Sequence, residues 1–251
     1  MPDTTLPVFL AAEVPGSGRT TLLDGEEARH AATVRRLRVG EQLVLSDGAG
    51  AMARCTVDAV QAGRDATVAL TVVEHWIEEP PALRVHVAQA LAKGDRGELA
   101  VELATEAGAD AVVPWRAARS VARWDDGPRG GKALARWRAT ARSAAKQARR
   151  AHVPEVAEPV GTEELAQLAA TMSATLVLES GAGARLADLD LPTGGDLLLV
   201  VGPEGGITDG ELGTLESAGA TTVRLGPAVL RTSTAAAVAL GALGALTGRW
   251  A

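Results

Sequence analysis

The feature that most constrains this chain is a five-residue apolar run, Leu197-Leu-Leu-Val-Val201, broken at once by Gly202-Pro-Glu-Gly-Gly206. A run that short fits a strand buried on both faces, as in a parallel sheet covered by helices. Four of the residues that end it, Gly202, Pro203, Gly205 and Gly206, either permit or fix unusual φ values. Thr208-Asp-Gly-Glu211 has the spacing of a capping box and predicts a helix running to about Ala218. Thr222–Leu225 reads as a second strand and Gly226-Pro227 as a second turn. Thr232 or Ser233 would cap a last, Ala-rich helix. Two strands ending in glycine loops near each other either let backbone amides approach a small ligand or are ordinary strand-to-helix turns of an α/β domain. Neither GxGxxG nor GxxxxGK[ST] occurs, so the nicotinamide fingerprint and the P-loop are both missing.

Composition narrows the class. The chain has 251 residues, enough for one large or two small domains, and a single cysteine, Cys55, which excludes an intramolecular disulfide and is expected in the core of an alternating strand. No apolar run approaches the length of a membrane helix, and the N-terminus lacks the basic region and apolar core of a secretory signal, so a soluble cytoplasmic protein is expected. The formal net charge is −6, yet residues 116–150 carry eleven Arg or Lys against Asp125 and Asp126, a net +9 that leaves −15 for the remainder. A basic stripe on an acidic protein suits a confined polyanion contact better than general coating of nucleic acid.

Residues 1–76 read as a small β-rich domain. Its candidate strands are Pro7–Ala11, Gln42–Ser46, Met52–Val60 and Thr67–Glu74, and Asp24-Gly-Glu-Glu27 opens a short helix, Ala28–Leu37. Several short strands and one helix suggest a closed or partly closed barrel. His30, Val34, Arg35, Arg36 and Arg38 cluster where the helix ends, either as a solvated face with favourable C-terminal charge or as an RNA contact. With few aromatics for stacking, RNA would be read by shape and phosphate. Glu78-Glu-Pro-Pro81 is a stiff linker. Beyond it, strand Leu83–Leu91, helix Glu98–Gly108 and strand Ala111–Pro114 start an α/β domain over residues 80–251, to which Leu176–Leu178 adds a further strand ending at Glu179-Ser-Gly-Ala-Gly183.

Leu134–Ala151 is the strongest amphipathic helix of the sequence. Trp137, Ala141, Ala144, Ala145 and Ala148 share one face, and Arg138, Arg142, Lys146 and Arg150 recur every fourth residue along another. Like charges at that spacing repel by a few tenths of a kcal/mol per pair, roughly. With no obvious internal partner, the stripe is a candidate phosphate contact, a solvated face being the alternative. Lys93 and Arg96, at a strand-to-helix turn, are further candidates, with solubility or a helix-side ion pair as the alternatives.

Several stretches together resemble the RsmE family of SPOUT-type (trefoil-knotted) RNA methyltransferases, which methylate N3 of a uridine in small-subunit ribosomal RNA. The resemblance rests on Gly202-Pro-Glu-Gly-Gly206 with Leu225-Gly-x-x-x-Leu-Arg-Thr232. It extends to Gln89-Ala-Leu-Ala-Lys-Gly-Asp-Arg96, Thr105-Glu-x-Gly108, Pro114, Arg119-Ser120, Gln147-Ala-Arg-Arg150 before Val153-Pro154, and His30…Val34-Arg-Arg-Leu37…Gly40. It implies a PUA-like β-barrel RNA-binding domain followed by a knotted α/β methyltransferase domain, a fold no periodicity argument could yield. It also implies S-adenosylmethionine (SAM) as cofactor, 16S rRNA in the small subunit as partner, and a homodimer. The implied cofactor loops are Leu178-Glu179, Gly202, Pro203, Glu204, Gly205 and Gly206, and Leu225, Gly226, Val229 and Leu230, with Thr234. RNA contacts would fall on Arg35, Arg36, Lys93, Arg96, Arg119, Arg138, Arg142, Lys146 and Arg150. Three positions depart from the pattern: Leu103 where lysine is common, Lys146 where an acid is usual, and Ser233 where glutamate often follows Arg-Thr.

The histidines at 30, 75, 86 and 152 are scattered, so no metal is expected, and Ser233 has no visible base. Methyl transfer needs neither metal nor covalent nucleophile. It needs a bound donor, a positioned acceptor and a way to handle the acceptor's proton. Arg231 is the first candidate for stabilising charge on the base or steering the flanking phosphate, a structural ion pair with an acidic loop residue being the alternative. Glu204 is either a base or a brace for its own loop. Two other readings stand beside N3 methylation: another target atom such as a ribose 2′-hydroxyl, and a non-catalytic rRNA-binding assembly factor.

Overall fold

The computed structural model describes residues 5–250, which form two compact units: residues up to Pro80 together with Ala145–Val153, and Pro81–Ala144 with Pro154 onward. The first unit holds a five-stranded sheet in the order β1-β3-β4-β5-β2, from β1 (Val8–Leu10), β2 (Thr20–Leu23), β3 (Gln42–Ser46), β4 (Ala51–Gln61) and β5 (Thr67–Ile77). Only the β1–β3 pair is parallel. The alternating inward residues, among them Phe9, Leu43, Leu45, Cys55, Val57, Val68 and Leu70, make one core. β4 bulges at Arg54/Cys55 and Val57/Ala59, and such bulges increase the local twist of a strand and bend it. β2 lay outside the strands expected from sequence because Thr20–Leu23 buries only Leu23. The expected helix over 28–37 is instead α1 (Gly25–Arg29) running into a π-helical turn, His30–Val34, and Arg36 follows at φ 54°.

The second unit is built on a six-stranded, all-parallel sheet, β11-β9-β10-β6-β7-β8. Its strands are β6 (Leu83–Ala90), β7 (Ala111–Trp115), β8 (Glu155–Val156), β9 (Ala174–Leu178), β10 (Gly195–Val201) and β11 (Thr221–Val223). The helices are α2 (Arg96–Glu106), α3 (Pro128–Gln147), α4 (Thr162–Ala169), α5 (Asp209–Ser217) and α6 (Thr232–Leu246). The apolar run in β10 explains itself here. Leu197, Leu199 and Val201 pack with α6 residues Ala236, Ala239, Leu240 and Leu243 on one face, while Leu198 and Val200 pack with Leu165 of α4 and Leu215 of α5 on the other. Each such aliphatic side chain contributes roughly 1.5–3 kcal/mol when removed from water. A single polar substitution in this run would therefore lie in a core whichever face it met.

Helix starts follow local chemistry where the chain supplies it. At α5 the capping box is complete: Glu211 N–H donates to Thr208 Oγ1 at 3.2 Å, and Glu211 Oε2 accepts from Thr208 N–H at 3.0 Å. The same carboxylate reaches outward, accepting from Ala118 N–H at 2.7 Å and Thr162 Oγ1 at 3.2 Å, so it ties α5, α4 and the loop after β7 together. At α6 the expectation is corrected. Arg231, not Thr232 or Ser233, is the N-cap, because both hydroxyl residues are already helical and buried. The chain's C-terminal end is fastened by Arg249, which donates to Asp110 Oδ2 at 2.8 Å, Gly108 O at 2.7 Å and Leu83 O.

Two stability predictions follow from these contacts. Arg249 and Asp110 are nearly buried, with side chains 10% and 11% exposed, and losing one partner of such a pair costs about 3–5 kcal/mol. Arg249→Met should lower the urea midpoint accordingly, and an unchanged midpoint would contradict the assignment. For Glu211, burial opposes the charged form, but the hydrogen bonds from Ala118, Thr208 and Thr162 outweigh it and hold the carboxyl below its ordinary 4.5. The unfolded chain then binds that proton more readily, so this stability is full above the unfolded value and is lost as pH falls through the folded one. Glu211→Gln should melt lower at neutral pH and show a flatter decline below pH 4.5 than the wild type.

Candidate active site

Parallel strands that stop in register bring their loops to one place. Val201, the last residue of β10, is opposite Leu178, the last of β9, which is opposite Val223, the last of β11. The three following loops enclose a cleft of about 350 Å³. It is lined by Leu178, Glu179 and Ser180 from the first loop, Gly202, Pro203, Glu204, Gly206 and Ile207 from the second, and Arg224, Leu225, Gly226 and Ala228–Thr232 from the third, with Arg96 and Ala235. The structure thus brings together Leu178, Glu179, Gly202, Pro203, Glu204, Gly206, Leu225, Gly226, Val229, Leu230 and Arg231. Gly205 and Thr234 are not in the lining. Gly205 faces Arg119, and the Thr234 hydroxyl donates to Arg231 O at 3.2 Å. Thr232, read from sequence as a possible helix cap and as part of Leu-Arg-Thr but not as a cofactor residue, also lines the cleft.

The loops hold one another through the main chain, as buried polar backbone must. Glu179 N–H donates to Val223 O at 3.0 Å, Arg224 N–H to Ala184 O at 3.0 Å and Leu186 N–H to Arg224 O at 3.1 Å. Gly206, at φ 75°, closes the second loop by donating to Pro203 O at 2.9 Å. Gly202 is confined for a different reason: a Cβ there would lie 2.7 Å from Ile207 Cγ1, so the loop turns where only glycine fits. Thr232 joins the second and third loops, its hydroxyl donating to Gly202 O at 2.7 Å. The walls are apolar at Leu178, Leu225, Leu230 and Ile207, and acidic at Glu179 and Glu204.

Charge is placed unevenly around the cleft. Glu204 Oε1 accepts from Lys93 N–H at 3.4 Å and is 4.0 Å from Arg96 Nη1, contacts that brace its loop against the turn before α2. Arg119 donates to Gly205 O at 3.3 Å. Arg231 is exposed, and its guanidinium has no hydrogen-bond or ion-pair partner among the described residues, so the structural ion pair that could have explained it is not there. Among the described residues no group of three or more His, Cys, Asp or Glu is placed to hold a metal.

The remaining basic residues are differently employed than the fourfold spacing suggested. Arg138 pairs with Glu158 at 2.9 Å and donates to Val156 O at 3.1 Å. α3 ends at Gln147 rather than Ala151, with Arg149 turning out of the helix at φ 56°, so Arg150 and Ala148 leave the helical faces assigned to them. In the first unit, Lys146 is 2.6 Å from Glu27 Oε2 and 3.0 Å from His30 Nδ1, and its ammonium lies 4.9 Å from the centre of the Phe9 ring. The internal partners that the repulsion argument lacked are Glu158 and Glu27. Arg142 on α3 is exposed, as are Arg35 and Arg36 in the first unit.

Comparison with known proteins follows this geometry. A family model described as an RNA methyltransferase domain matches residues 78–244, which include every residue lining the cleft, and one described as an RNA methyltransferase PUA domain matches residues 23–64. A protein from Mycobacterium tuberculosis named ribosomal RNA small subunit methyltransferase E is 53% identical over 97% of this chain and 93% of its own length. Its namesake from Bacillus subtilis is 35% identical over 89% of both. Among solved structures, a ribosomal RNA small subunit methyltransferase E from Neisseria gonorrhoeae bound to SAM superposes with a TM-score of 0.84 at 28% identity, covering 96% of this chain and 98% of that one. A methyltransferase from Legionella pneumophila in complex with SAM gives 0.85 at 27%, with the same coverage. The α/β architecture is therefore that of SPOUT-type methyltransferases, with a PUA-like unit at the N-terminus. Identity this high across nearly the whole length, on a fold shared with those structures, makes this chain a member of the ribosomal RNA small subunit methyltransferase E family and an RNA methyltransferase.

Proposed function

We propose that this chain transfers the methyl group of SAM to N3 of a uridine in 16S rRNA of the small ribosomal subunit. The observation that carries the reading is the cleft where β9, β10 and β11 end together, with a free arginine in its lining, in a chain so similar to proteins named for small-subunit rRNA methylation. The residues present fit SAM. Gly202 leaves the main chain open at a point where a side chain would collide with Ile207, Leu178, Leu225 and Leu230 give apolar walls, and Glu179 and Glu204 offer acceptors for a cationic, hydroxyl-bearing ligand. When bound, that cofactor supplies an electrophilic methyl group.

The chain's own residues have three tasks. The glycine loops bind through main-chain groups already fixed by their mutual hydrogen bonds, so little ordering is left to the moment of binding. Arg231 stabilises the negative charge that appears on the uracil when its N3 proton leaves, a charge-assisted contact to a carbonyl oxygen of the base. Glu204 braces the loop through its hydrogen bond from Lys93 N–H and its proximity to the Arg96 guanidinium, and no base is assigned. Lys93, Arg96, Arg119 and Arg142 in the second unit, and Arg35 and Arg36 in the first, are the phosphate contacts of this reading, with Arg138, Lys146 and Arg150 as residues whose contacts also hold the fold. Residues 1–76 act as the RNA-binding domain and 80–251 as the methyltransferase domain. The enzyme acts in the cytoplasm as a homodimer. Exposed Val238 and Leu246, eight residues apart on α6, give that helix an apolar outer face. No helix among the described residues is long and apolar enough to cross a membrane.

The test is transfer of labelled methyl from SAM to isolated small subunits and to deproteinised 16S rRNA, read by nucleoside mass spectrometry. N3-methyluridine is the expected product. A methylated ribose would move the chemistry to another atom, and no transfer with RNA binding intact would leave an assembly factor. Arg231→Ala should lower kcat by about 10²–10³-fold, the cost of losing one positioned donor to a developing charge, with a smaller effect on SAM affinity.

A further inference from the structure

We infer that Gln89, which does not line the cleft, is a positioning residue for it, acting as the fixed donor at the head of a directional hydrogen-bond relay, Gln89 to Thr232 to Gly202. The inference rests on the cofactor reading above and deepens it. Gln89 lies near the end of β6, directly opposite Val201 of β10, and is only 1% exposed. Its Nε2 donates to Thr232 Oγ1 at 3.0 Å and to Ala90 O at 3.2 Å, and the Thr232 hydroxyl donates onward to Gly202 O at 2.7 Å.

The direction of this relay is set by chemistry. Gly202 O and Ala90 O can only accept. The single proton of the Thr232 hydroxyl is therefore committed to Gly202, and what faces that hydroxyl from the other side must be a donor. An amide nitrogen supplies two protons and uses one on each neighbour. A carboxylate of the same shape would present only acceptors, repelled by Ala90 O and competing with Gly202 for the threonine proton. The other end of the amide shows what is given up for this: Gln89 Oε1 is buried with no partner among the described residues. An unpaired buried acceptor is unfavourable, and an apolar residue would avoid it. Glutamine at this point is explained by what its nitrogen does.

The relay connects the two walls of the cleft. Gly202 opens the loop after β10 and Thr232 opens α6, thirty residues later, so fixing their carbonyl and hydroxyl together fixes the separation between the loop and the helix start. Nothing else among the named contacts ties these two points to the sheet through a side chain. Freed from it, Gly202 O must find another donor, and the loop loses its defined position before the cofactor arrives.

The experiment measures the dissociation constant of SAM for the full-length wild type, Gln89→Glu, Gln89→Met, Thr232→Ser and Thr232→Val, with melting temperature and rRNA affinity recorded for each. Gln89→Glu should weaken SAM about tenfold at neutral pH, the loss of roughly one net hydrogen bond. Its affinity should recover partly as pH is lowered and the introduced carboxyl gains a proton to donate, while the wild type shows no such recovery. Thr232→Ser keeps the hydroxyl and should bind as the wild type. Gln89→Met combined with Thr232→Val should cost no more than Thr232→Val alone, since both break the same chain. Equal SAM affinity of Gln89→Glu and wild type, or a loss that follows melting temperature and lacks the acid recovery, would overturn the relay. If Gln89→Glu does not fold, the non-additivity of the other pair decides. Failure of the wild type itself to bind SAM would overturn the functional reading instead, so the two are separable.

Discussion

Three parallel strands end side by side at Leu178, Val201 and Val223, and the rest of the second unit is arranged around that coincidence. Where such strands stop, the ladder no longer satisfies their backbone, yet the loops remain close to a packed core. Here they satisfy one another: the loop after β9 pairs with the segment after β11, and the loop after β10 is held by the threonine that opens α6. The result is a cleft framed by loops that hold one another mainly through main-chain hydrogen bonds. At Gly202 a side chain would collide, and at Gly206 the turn takes a positive φ.

Electrostatics adds direction to this frame. Glu204, in the lining, braces its loop against the turn before α2, while Glu211, outside the lining, ties α5 to two neighbouring segments. Arg231 is different, since it stands in the lining and its guanidinium has no ion-pair or hydrogen-bond partner among the described residues. A cation left unpaired in a cleft is available to a charge that arrives with the substrate, and in this account it meets the uracil as its N3 proton departs. The strongly basic segment around α3 carries less free charge than its composition implies, because Arg138 and Lys146 are spent on Glu158 and Glu27.

Local chemistry was legible in the sequence. The Thr208–Glu211 capping box set the start of α5, the apolar run marked β10, and the glycine loops marked the cleft, because each depends on residues a few positions apart. What depended on distant residues was not legible. Lys146 meets Glu27 and His30 across more than a hundred residues, which is why its charge looked unpaired and why residues 145–153 could not be seen to pack with the first unit. The π-helical turn at His30–Val34 and the short β2 carry no periodic signal of their own. Thr232 was read as a helix cap because threonine favours caps, whereas burial directs its hydroxyl to Gly202. The knotted fold class rested on resemblance throughout, since no pattern of hydropathy encodes how a chain is threaded.

The central claim is that the loops after β9, β10 and β11 together bind SAM. Hydrogen exchange of the full-length protein with and without saturating SAM tests it most directly, because the amides of those loops are local and separately resolvable by peptide. The account predicts that protection gained on binding is concentrated in residues 178–186, 202–207 and 224–232, with little change in the sheet of the first unit. Protection confined to other segments, or SAM binding that leaves these three loops exchanging as before, would contradict it.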